Sequence, residues 1–91
     1  MADQSPKVVL YTTRFCPFCV RAKSLLDHKQ VEFDEIPVDS DPDKRREMMN
    51  RAGRHTVPQI WIGETHVGGC DELFMLERAG KLDALLAGSA P

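Results

Sequence analysis

Apolar residues recur along the chain in two alternating rhythms. Val8-Val9-Leu10-Tyr11 is an unbroken apolar run of strand length, predicting a strand over residues 8–12. The spacing then changes. Phe18, Ala22, Leu25 and Leu26 mark one helical face through about residue 29, with Arg21, Lys23 and Asp27 elsewhere on the surface. Val31-Glu32-Phe33-Asp34-Glu35-Ile36 returns to strand alternation. Turn chemistry from Pro37 to Asp43 and an acidic helix start precede Met48, Met49 and Ala52, and this second helix ends near Gly53. Gln59-Ile60-Trp61-Ile62 and Thr65-His66-Val67 flank the two-residue loop Gly63-Glu64, the pattern of an antiparallel hairpin. After Gly68-Gly69 breaks that pattern, Leu73, Phe74 and Leu76, then Leu82, Leu85 and Leu86, predict helical turns interrupted around Gly80.

Strand, helix, strand, helix, hairpin, helix is the order of an α/β domain, with a right-handed parallel crossover in its first half and four strands in all. A chain of 91 residues with 42% hydrophobic and 29% charged composition has room for one modest core, so one domain over residues 1–91 is expected, with flexible tails at 1–6 and 88–91. The 12 Lys and Arg nearly balance 14 Asp and Glu, and no basic block or aromatic-interleaved stripe suggests nucleic acid. The N-terminal residues lack a signal-peptide pattern, and no apolar stretch approaches the ~18 residues of a membrane span. The expectation is a cytoplasmic monomer that binds neither nucleic acid nor membrane.

Cysteine usage sharpens the picture. Two of the three cysteines form Cys16-Pro17-Phe18-Cys19 at the junction of the first strand and first helix. Unpaired N–H groups and aligned peptide dipoles at a helix N-terminus favour negative charge, and thiolate is the form that attacks disulfides. Pro17 suits the first helical position, and Cys19 lies one turn on, facing the first sulfur. The spacing supplies a nucleophile, Cys16, and a resolving thiol, Cys19. A structural zinc pair or two inert buried thiols are the competing readings, but zinc takes four ligands, and only Cys70 and the unspaced His28, His55 and His66 remain to supply them. No metal is expected, each histidine is expected at the surface, and redox chemistry in a reducing compartment is favoured.

Cys16-Pro17-Phe18-Cys19, Thr56-Val57-Pro58 and Gly68-Gly69-Cys70-Asp71 together resemble the glutaredoxins, and most closely the short bacterial dithiol kind, over essentially residues 7–87. The resemblance implies a thioredoxin-like fold, with a four-stranded mixed sheet flanked by helices. It also implies glutathione as reductant, and protein disulfides and protein–glutathione mixed disulfides as substrates. It makes Pro58 a cis proline opposite the cysteines and gives the Val57 backbone a strand-like pairing with glutathione. Thr56 belongs to the same segment. Gly69 allows close approach, the N–H groups that open the next helix receive the γ-glutamyl carboxylate, and Asp71 accepts from the ligand's amino group. Cys70 sits in the same motif, with a small buried hydrophobe as its default role and modulation by oxidation as the alternative.

The basic positions depart from the pattern. Where these proteins commonly carry lysine three residues before the first cysteine, this chain has Thr13, and Arg14 follows. Arg14 is the expected substitute, reaching the glycine carboxylate of glutathione, and Arg45, eleven residues before Thr56, aligns with a position contacting the same carboxylate. Phe18 replaces the usual tyrosine, keeping an apolar wall beside the thiols. Three rivals remain: a redoxin served by thioredoxin reductase, whose relatives differ after the hairpin; a [2Fe–2S] cluster carrier, against which Pro17 argues; and a redox-dead binding module on the same fold, which requires that the thiols not cycle.

Overall fold

The computed structural model describes residues 6–88. Within it run β1 (Val8–Thr12), α1 (Pro17–His28), β2 (Asp34–Pro37), α2 (Pro42–Ala52), β3 (Gln59–Ile62), β4 (Thr65–Gly68), α3 (Cys70–Arg78) and α4 (Leu82–Leu86). Of the expected tails, 1–5 and 89–91 lie outside the described residues. Pro6, by contrast, is half-buried.

The four strands make one mixed sheet in the order β2-β1-β3-β4. β1 is central, parallel to β2 and antiparallel to β3, and the β3–β4 hairpin is antiparallel as expected. Alternation along the two central strands then loads both faces of the sheet. Leu10, Ile60 and Ile62 point to one side and pack with Ala22 and Leu26 of α1 and Leu73 of α3. Tyr11 and Trp61 point to the other, against Met48 of α2 and Val38. Burying each of these large side chains stabilises the fold by roughly 1.5–3 kcal/mol.

Helix boundaries follow local chemistry. Asp41 accepts from the Lys44 N–H at 3.1 Å and Pro42 opens α2, while Gly53, at φ 68°, closes it by donating to Met49 O at 2.9 Å.

Two expectations needed correction. β2 starts at Asp34, whereas alternation placed a strand from Val31. Gln30 adopts φ 59° and the Val31 N–H still donates to Leu26 O at 3.1 Å, so Val31 belongs to the exit of α1 and the ladder with β1 opens only at Asp34. Val31 and Phe33 still pack on the core, from a connection. β4 also runs one residue further than expected, to Gly68, through a register shift opposite Ile60 and Trp61 that leaves Val67 as the extra residue.

Candidate active site

Cys16 follows the carboxyl end of β1 and is the N-cap of α1, with Pro17 in the first turn. It is 9% exposed, and its Sγ accepts from the Cys19 N–H at 3.2 Å. A helix N-terminus and a direct N–H donor both favour negative charge on that sulfur. The thiol proton also has an acceptor, since Cys16 Sγ donates to Val57 O at 3.8 Å.

Cys19 sits one turn deeper at 1% exposure. Burial, followed by hydrogen bonding to Cys16, pushes its thiol up to about 12. The pair is therefore asymmetric, with the less buried sulfur in front and a protonated thiol behind it. All three cysteines are free, and burial also raises the Cys70 thiol.

The Val57–Pro58 peptide is cis, as the resemblance implied. Buried Gln59 pins the segment before it, donating through Nε2 to Thr56 O at 2.9 Å and to Thr56 Oγ1 at 3.2 Å, while its Oε1 meets His66 Nε2 at 2.8 Å. His66 is accordingly not the surface residue expected. It is half-buried and stacked on Trp61, with ring centroids 4.5 Å apart, and burial holds its pKa below the usual 6.5. His28 and His55 are exposed as expected.

A groove of about 150 Å³ beside Cys16 brings Phe18, Thr56, Val57, Pro58, Gly69, Cys70 and Asp71 together. Phe18 was expected on the buried face of its helix, yet it is 52% exposed, because a residue so near the start of α1 lies over the groove and not over the sheet. Neighbouring Phe15 is 93% exposed. Arg14 and Arg45 lie outside this lining. Arg14 holds Asp39 through Nε at 3.0 Å and through its backbone N–H at 3.2 Å. Arg45 Nη2 donates to His55 O at 3.3 Å, tying α2 to the residue before Thr56.

Two lining residues escaped the sequence analysis, Arg54 and Glu72. Glu72 Oε1 accepts from the Gly69 N–H at 2.7 Å, a bond that holds its carboxyl below the usual range. Arg54 Nη1 lies 3.6 Å from Glu72 Oε2, at the edge of ion-pair range. The signal for Glu72 was its place three residues after Gly69, the spacing at which a glutamate reaches back to a helix N-cap. Arg54 carried none.

A larger cavity of about 700 Å³ lies at the start of β1, the opposite end of that strand from Cys16, and holds none of the motif residues. Among the described residues no group of three or more His, Cys, Asp or Glu is placed to hold a metal ion, and no helix is long and apolar enough to cross a membrane.

The family model described as Glutaredoxin matches residues 8–67. A glutaredoxin of Pseudomonas aeruginosa is 65% identical over 82 residues, covering 90% of this chain and 98% of that protein. Among solved structures, a glutaredoxin from Brucella melitensis superposes with a TM-score of 0.83 at 49% identity, over 97% of each chain. A buckwheat glutaredoxin–glutathione complex superposes with a TM-score of 0.82 at 30% identity, over 98% of this chain and 84% of that one.

Proposed function

This chain belongs to the glutaredoxin family, has its thioredoxin-like fold and is a thiol–disulfide oxidoreductase, and we propose that glutathione is its reductant and glutathionylated and disulfide-bonded proteins its substrates. The observation that carries this reading is the position of Cys16 Sγ. It is held by the Cys19 N–H at 3.2 Å and faces Val57 O at 3.8 Å, beside the groove lined by the Thr56–Pro58 segment and by Gly69, Cys70 and Asp71.

In the first reaction the Cys16 thiolate attacks the glutathione sulfur of a protein–glutathione mixed disulfide. A Cys16–glutathione disulfide forms, the disulfide bond between the glutathione sulfur and the protein's cysteine sulfur breaks, and the protein leaves as thiolate to be protonated. A second glutathione thiolate then attacks the glutathione sulfur on Cys16, releasing oxidised glutathione and Cys16 thiolate. The groove orients the tripeptide for both steps, Val57 through its backbone and Gly69, Cys70 and Asp71 at the γ-glutamyl end, while the glycine carboxylate reaches beyond the lining toward the cations Arg14 and Arg45. Phe18 supplies an apolar wall of that groove.

Protein disulfides take a longer path. Cys16 attacks one sulfur, releasing the other as thiolate and leaving the target joined to Cys16. Cys19 gives up its proton and displaces the target, leaving a Cys16–Cys19 disulfide that two glutathiones reduce in turn. The raised Cys19 thiol suits this order, because it stays protonated while Cys16 engages the target. The cytoplasm, where glutathione keeps thiols reduced, is the matching compartment.

The test is reduction of a small glutathione mixed disulfide, coupled to NADPH through glutathione reductase. Turnover by the wild type that is abolished in Cys16→Ser is the expected result. An inactive wild type contradicts glutathione dependence.

A further inference from the structure

One end of the groove carries three charged side chains, Arg54, Asp71 and Glu72. Only Asp71 belongs to the motif used above. Glu72 is committed elsewhere, since its Oε1 takes the Gly69 N–H at 2.7 Å and closes the first turn of α3. Arg54 is held more loosely, 3.6 Å from the other Glu72 oxygen, and its side chain is 44% exposed.

The double glycine determines where that guanidinium rests. A methyl group built on Gly68 would meet Arg54 Nη1 at 3.1 Å, and one on Gly69 would lie 3.9 Å from Arg54 Nη2. The cation thus lies along the bare backbone that leads into α3, at the groove edge where the opening N–H groups of that helix lack intrahelical partners. A lone positive group beside two carboxylates complements an α-amino acid zwitterion, which offers one carboxylate and one ammonium.

The γ-glutamyl end of glutathione is such a zwitterion. We propose that Arg54 reads its α-carboxylate, exchanging the loose contact with Glu72 for the ligand, while Glu72 stays on Gly69 and Asp71 takes the ammonium. The inference rests on glutathione as the ligand of this groove. It assigns to Arg54 the selection of ligands that carry a free α-carboxylate at that end. A guanidinium suits the task because its planar fork can meet both carboxylate oxygens, where a single N–H meets one.

The experiment compares two small mixed disulfides, one made with glutathione and one with an analogue whose γ-glutamyl α-carboxylate is a carboxamide. Wild type should favour the glutathione substrate. In Arg54→Gln, KM for that substrate should rise roughly three- to tenfold, a modest factor because the site is open to solvent, while KM for the amide stays unchanged and the preference collapses. Arg54→Lys should restore part of it. Equal losses on both substrates would make Arg54 a mere tie between the Pro58 segment and α3, and no loss on either would make it a surface residue; both results overturn the proposal. An inactive wild type removes the proposed function and this inference together, whereas an active wild type with unselective losses removes only this inference.

Discussion

The Cys19 N–H donates to Cys16 Sγ at 3.2 Å, so the second cysteine supports the first before any disulfide forms. That support comes from the peptide, not the thiol, and survives replacement of the side chain. Cys19→Ser should therefore keep reduction of glutathione mixed disulfides while protein disulfide reduction falls by at least about tenfold. Both rates can be read in the same coupled assay, and equal loss of the two activities would contradict the division of labour.

Beneath the site, Glu35 accepts from Thr12 Oγ1 at 2.7 Å and from Lys23 Nζ at 3.0 Å. The Thr12 bond first, and Lys23 second, hold its carboxyl below the ordinary 4.5. A carboxylate with a depressed folded-state value contributes stability in full above 4.5 and loses it as the pH falls through that lower value. Glu35→Gln should cost about 1 kcal/mol at neutral pH, reduced from the buried-pair range by the partial exposure of the carboxylate. Urea denaturation across the acid range should show that difference vanishing as Glu35 protonates.

Across the sheet, Tyr11 is fully buried, and its hydroxyl donates to Glu47 Oε2 at 2.6 Å and accepts from Arg51 Nη1 at 2.8 Å. Arg51 also lies over Trp61, 4.3 Å from the ring centroid. Tyr11→Phe removes one atom and leaves two charged groups short of a partner, so a loss of roughly 1–3 kcal/mol is expected. Trp61 is the only tryptophan, and its fluorescence reports the shift in denaturation midpoint.

Gly68 has φ 112°, where an L side chain is strained, and an added methyl would sit 3.0 Å from Glu72 Oε1. Gly68→Ala should destabilise the fold by about 1–3 kcal/mol. It should also raise KM for glutathione mixed disulfides by displacing the α3 cap and Arg54. A melting curve and the coupled assay test the two effects separately.

The cysteine pair, the hairpin and the helix ends were legible because each rests on local chemistry: Pro17 after a would-be N-cap, Gly63-Glu64 between apolar runs, Pro42 after Asp41, Gly53 at a left-handed position. What failed depended on where a helix releases the chain and on how side chains pack once the fold forms, which alternation and polarity do not state. Val31 alternates like a strand residue, but whether it pairs with β1 depends on where α1 releases the chain. His66 is polar and hairpin-borne, yet Trp61 and Gln59 draw it inward. Arg54 has no motif of its own, and only the folding of the Pro58 segment against α3 brings it to the groove.

The central claim is that Cys16 carries glutathione during turnover, and trapping that species tests it most directly. Cys19→Ser protein, mixed with a glutathionylated peptide and quenched with acid, should gain the mass of one glutathione, and peptide mapping should place it on Cys16. Glutathione found on Cys70, or no adduct while the peptide is still reduced, would contradict the account.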